Sequence, residues 1–130
     1  MPTHPAAGAV IYAKDIARVS AFYAAVAGLE VTHTERAHII LESPAFQLVV
    51  LAVPPDVAAT IALTTPPARR ENAAIKPVFF VTDIADARDA AARLGGELNP
   101  PERQWKFQGA TVCDGHDPEG NVFQLRERPA

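Results

Sequence analysis

One arrangement of residues occurs twice in this chain, and that repetition limits its fold more than any other feature. "AVIYAKDIARVSAFYAAVAGLE" places a short apolar strand before Asp15, a helical stripe of Ile16, Val19, Tyr23 and Val26, and then Gly28. "VFFVTDIADARDAAARLGGE" repeats the order with Asp83 and a closing Gly95-Gly96. The offset that carries Asp15-Ile16-Ala17 to Asp83-Ile84-Ala85 also carries Val10 to Val78, Ala24 to Ala92 and Gly28 to Gly96, and sets Tyr12 against Phe80. Physical chemistry explains each part. An aspartate before a helix accepts a backbone N–H of the first turn, apolar residues at helical spacing form one buried stripe, and glycine takes the left-handed conformation that ends the helix. Agreement at so many levels points to an internal duplication.

Strand signals complete each half. After Gly28 come "EVTHTE", "AHIILE" and "FQLVVLAV"; after Gly95 come segments at Gly96–Leu98, Phe107–Cys113 and Asn121–Arg126. Each half therefore reads β-α-β-β-β. The expected domain is a single unit over 1–130, with module one at about 6–53, a proline- and alanine-rich linker at about 54–74, and module two at about 75–128. The fold class expected is α+β: two tandem βαβββ modules forming a curved mixed sheet around a cleft, with helices outside. "VFFV" and "LVVLAV" are apolar at every position, which suggests burial on both faces. In the last strand Phe123 and Leu125 face one side, and Val122, Gln124 and Arg126 the other.

Bulk properties exclude several classes. With 48% hydrophobic and 21% charged residues, the chain has the balance of a globular protein with a real core. The net charge is −3 and the basic residues are scattered, so the stripe that nucleic-acid binding needs is missing. The longest apolar run, "LVVLAV", is too short to cross a bilayer, and no basic amphipathic helix suggests membrane contact. "MPTHPAAGAV" lacks the features of a secretory signal, and one cysteine cannot close an intramolecular disulfide; a cytoplasmic setting is the expectation.

Two segments are similar to those of a known group. "DIARVSAFYAAVAGLEV" and "DPEGNVFQL" resemble the first-helix segment and the final turn and strand of the vicinal oxygen chelate superfamily, which groups glyoxalase I, bleomycin-resistance proteins and extradiol dioxygenases. The resemblance implies a fold shared by metal-dependent isomerases, dioxygenases and metal-free drug binders. It also implies metal-ligand positions on the first, fourth, fifth and eighth strands. These fall at Gly8, at Gln47 or Val49, at Lys76 and at Gln124. Glycine has no ligand atom, the lysine ammonium repels a divalent cation, and one or two amide oxygens make a weak donor set. No cofactor is therefore expected.

The leading expectation is a metal-free small-molecule-binding protein that sequesters an aromatic or amphipathic compound. Trp105 and Phe107 share a strand face beside Arg103 and Lys106, as a stacking wall needs. Tyr12 and Phe80 supply further walls, and Gln47, Lys76 and Gln124 supply orienting polar groups. The resemblance implies a homodimer with clefts at or near the interface. Two alternatives are a metal-dependent lyase, isomerase or dioxygenase of the same superfamily, and a metal-independent enzyme using Lys76 as a base or clamp. His33 and His38 read as a solvated surface pair, and Cys113 as a buried, inert thiol. In "CDGHDPEGNVFQLRE", Asp117, Pro118 and Gly120 read as a chain reversal with Glu119 at its tip facing water, and His116 is at most a rim residue outside the expected site.

Overall fold

Both aspartate caps form. Asp15 accepts from the Arg18 N–H at 3.1 Å and Asp83 from the Asp86 N–H at 3.0 Å. They start α1 (Ile16–Val26) and α3 (Ile84–Arg93), which end before Gly28 at φ 69° and Gly95 at φ 93°. The second helix is one residue shorter, so the left-handed glycine matching Gly28 is Gly95, not Gly96. Gly96 serves packing instead: a Cβ there would collide with the Phe22 ring and the His116 carbonyl.

The computed structural model describes residues 4–129. Module one runs β1 (Ala7–Ala13), α1, β2 (Glu30–Thr34), β3 (His38–Glu42) and β4 (Phe46–Ala52). The linker holds only the short α2 (Pro55–Ala58). Module two runs β5 (Val78–Val81), α3, β6 (Glu97–Leu98), a 3-10 turn at Pro101–Arg103, β7 (Trp105–Phe107), β8 (Ala110–His116) and β9 (Val122–Glu127). The first sheet has strand order β1-β4-β3-β2 with β1 parallel to β4. The second repeats that topology as β5-β9-β8-β6 with β5 parallel to β9, and β7 adds a fifth strand beside β8.

The fold is thus α+β, from two modules of the expected order. At finer grain, among the described residues the modules build two sheets of four and five strands that share no hydrogen-bonded strand pair. The segment expected as one strand over Phe107–Cys113 is a hairpin. Gln108 at φ 51° and Gly109 at φ 80° make its two-residue turn, and Phe107 pairs with Ala110.

α1 joins the sheets. It packs on β3 and β4, and against α3. Its Phe22 and Tyr23 also meet Phe79 and Phe123 of the second sheet at ring centroid distances of 5.6–5.7 Å. One core therefore holds Leu41, Leu48 and Val50 from the first sheet with Phe79, Phe123 and Leu125 from the second. The alternate residues of the same strands point away from it. The expectation that "VFFV" and "LVVLAV" are buried on both faces is corrected here: Phe80 is half exposed, and Val49 and Leu51 are only partly covered. Their apolar character exceeds what this core uses.

Candidate functional site

The face of the second sheet turned from the core gathers five of the seven residues expected to bind a ligand. Strand pairing puts Trp105, Val112, Arg126 and Phe80 side by side across β7, β8, β9 and β5. Asp114, Gln124 and Val78 form the neighbouring row. Phe80 is 50% exposed, Trp105 42% and Phe107 47%. Three exposed aromatics on one sheet face are costly to leave in water and are a mark of a contact surface.

A polar chain runs between the rings. Lys76 Nζ donates to Asp114 Oδ2 at 2.8 Å, Gln124 Nε2 to Asp114 Oδ1 at 3.1 Å, and Arg126 Nε to Gln124 Oε1 at 2.9 Å. The Arg126 guanidinium carbon stands 4.9 Å from the Phe107 ring centre and 5.8 Å from that of Phe80. Sequence reasoning missed Asp114 and Arg126. Arg126 had been placed on the Gln124 face by strand parity alone, and folding the hairpin about Asp117–Gly120 sets Asp114 opposite Gln124.

Tyr12 and Gln47 lie on the open face of the first sheet, and the chain does not join them to the other five. Gln47 sits opposite Gly8 and donates to Glu42 Oε2 at 3.0 Å. Hydrogen bonds from Gln47, then Thr32, hold the Glu42 carboxyl below its ordinary range. Tyr12 is well exposed beside Leu51. His33 and His38 stack with ring centres 5.8 Å apart, and His33 pairs with Glu35 in solvent.

The family's metal positions offer a poor donor set. A Cβ on Gly8 would stand 2.7 Å from the Gln47 carbonyl oxygen, so even a side chain there needs the backbone to move. Lys76 brings an ammonium, and both amide atoms of Gln124 are already bonded. Among the described residues no three His, Cys, Asp or Glu side chains gather as a metal-binding group. These residues do not fit a divalent cation.

The loop after β8 corrects another expectation. Glu119 is 4% exposed and faces inward, because its two oxygens accept the backbone N–H groups of Lys14 and Asp15 at 2.8 Å each. Asp117 is fully buried and accepts four bonds, from Tyr23 Oη, Asn121 Nδ2 and the N–H groups of Glu119 and Asn121. His116 is buried too, its Nδ1 3.0 Å from the Asp117 carbonyl oxygen, so it is no rim residue. Cys113 is buried against Arg88 and the Asn99 carbonyl, and burial pushes its thiol up. An open cavity of about 770 Å³ lies between the end of α1, β5 and α3, lined by Phe46, Phe79, Arg93 and Arg128 among others. Of the expected walls it includes only Phe80.

The sequence model of one family, described as a glyoxalase-like domain, matches residues 8–126. No curated protein matches the chain by sequence. Among solved structures, a glyoxalase/bleomycin resistance protein from Albidiferax ferrireducens T118 is 17% identical with a TM-score of 0.66, covering 95% of this chain and 98% of that one. A bleomycin resistance determinant encoded on the transposon Tn5 is 15% identical with a TM-score of 0.61, covering 98% and 100%. The fosfomycin resistance protein FosX from Listeria monocytogenes is 14% identical with a TM-score of 0.64, covering 100% and 94%. At these identities the likeness is one of fold.

Proposed function

Because the chain belongs to the glyoxalase-like domain family, we propose that it is a small-molecule-binding protein that works without a metal and sequesters an aromatic or amphipathic compound. The observation that carries this reading is the cluster of Phe80, Trp105 and Phe107, exposed around the Lys76–Asp114–Gln124–Arg126 chain. Rings supply sequence-tolerant stacking area, and a few fixed polar groups orient what lies between them. Two of the similar structures are named as resistance proteins against bleomycin and fosfomycin, which supports a drug-like ligand.

The reading includes a cytoplasmic homodimer. Val10 and Tyr12, 53% and 60% exposed, leave the first sheet with an apolar face of its own. A second copy would cover it and add Tyr12 and Gln47 to the walls of the cleft. The lysine-based enzyme is less well supported, since the Lys76 ammonium is engaged by a carboxylate instead of standing free in an apolar cleft.

The test has two stages. Elemental analysis of protein prepared without chelators or a histidine tag is expected to give far less than one equivalent of Zn, Ni, Mn or Fe; a stoichiometric metal whose removal abolishes binding would overturn the reading. A thermal-shift screen of aromatic antibiotics and metabolites is then expected to show stabilisation that grows with ligand concentration. Trp105→Ala should weaken the best ligand about tenfold, on the order of one lost stacking contact. Unchanged affinity removes Trp105 from the site.

A further inference from the structure

Arg126 carries a charge that the chain holds in place but does not cancel. Its Nε is fixed by Gln124, and its guanidinium lies by the rings of Phe107 and Phe80. Among the described residues no ion pair includes it, and no hydrogen bond uses its two terminal nitrogens. The neighbouring carboxylate, Asp114, is already occupied by Lys76 and Gln124. At this cluster Lys76 and Arg126 stand against the single carboxylate of Asp114, which leaves one positive charge uncancelled beside the rings, in a chain whose net charge is −3.

The geometry points to a planar aromatic carboxylate as the ligand, its two oxygens on the terminal nitrogens of Arg126 and its ring beside Trp105 and Phe107. A guanidinium presents parallel donors that match a carboxylate, and such charge-assisted pairs are stronger than neutral ones. Holding the fork in advance reduces the ordering cost of binding. Trp105 stands two strands from Arg126 in the same row, so their backbones are about 10 Å apart, a span that one aromatic acid bridges. A cationic ligand would meet the uncancelled arginine, and a neutral one would leave its donors unmatched. This inference rests on the small-molecule reading above and gives that ligand its charge.

Calorimetric titration with 2-naphthoate and its neutral isostere 2-naphthamide separates the two. The wild-type protein is expected to bind the acid at least about tenfold more tightly than the amide, as an added charge-assisted bond implies. That ratio should fall close to one in Arg126→Gln and lie between in Arg126→Lys, which keeps the charge but loses the fork. Raising the salt concentration should weaken the acid and leave the amide unaffected. Equal binding of acid and amide overturns this inference and leaves the binding reading standing; binding of neither overturns the inference too, and the thermal-shift screen then decides the binding reading. An acid-to-amide ratio unchanged by Arg126→Gln, with self-association weakened instead, assigns the arginine to a second copy and also overturns the inference. Should Arg126→Gln fail to fold, Arg126→Lys and the salt series decide the matter.

Discussion

Asp117 and Glu119 stand two positions apart in one turn, and both are buried for reasons that no local pattern carries. Glu119 satisfies two backbone donors at the start of α1, so Glu119→Ala is expected to cost about 2 kcal/mol, with urea unfolding as the measurement. For Asp117, burial lifts the carboxyl above its ordinary range, and the hydrogen bonds led by that from Asn121 pull it back. A carboxyl raised in the fold holds its proton more tightly there than in the unfolded chain. Its contribution to stability is therefore complete in acid and is lost as pH rises from the unfolded value, near about 4, through the folded one. The excess stability of the wild type over Asp117→Asn should shrink as pH rises above about 4; an excess that grows would mean the hydrogen bonds outweigh burial. Cys113 was readable from sequence as an inert thiol, and it should react with a thiol reagent only when the protein unfolds. Glu119 was misread because its partners are 104 and 105 residues away, and acidic turn residues ordinarily face water.

The elements divide the same way, by the range of the signal behind them. Asp15 and Asp83 cap their own helices within three residues, and Gly28 and Gly95 end them, so these starts and stops were visible in the bare chain. The β7–β8 hairpin was not. Its turn puts Gln108 in a conformation usually left to asparagine, aspartate or glycine, and the apolar flanks on both sides masked the break. Gln108→Asn is expected to raise the midpoint of thermal unfolding slightly. Gly109→Ala should cost about 1 kcal/mol, since its φ of 80° suits no other residue as well. It should also misplace Trp105 and Phe107, which the hairpin carries, so ligand affinity falls with stability. The candidate site was legible to the extent that strand parity could place Gln124, Trp105 and Phe107. The polar chain through Asp114 needed a register across β8 and β9 that only folding provides.

At the scale of the molecule, each sheet has one face in the shared core and one uncovered face bearing large side chains. Val10 and Tyr12 mark that face on the first sheet, and Phe80, Trp105 and Phe107 on the second. Self-association should therefore be measurable: sedimentation of the wild type is expected to show two chains per particle. Val10→Glu, which places a charge on that apolar face, should give single chains that keep their fold by circular dichroism. A wild type that sediments as one chain at all concentrations would remove the dimer from the proposed function. The duplication fixes which residues face outward in both halves, since Tyr12 and Phe80 hold equivalent positions in their sheets, but not what eventually covers them.

The bond between Glu119 and the first helix also sets a schedule for synthesis. Lys14 and Asp15 leave the ribosome 105 and 104 residues before the carboxylate that receives their N–H groups. At ordinary elongation rates that is a wait of roughly 5–20 s. Through that interval the first half has its aspartate cap and its glycine stop, but Phe79 arrives only partway through it and Phe123 after its end, so Phe22 and Tyr23 wait for their partners from the second sheet. The nascent chain therefore carries an aromatic helix face short of its full cover until its last hairpin emerges, and a ribosome stalled inside the linker holds a first half with neither Phe79 nor Phe123.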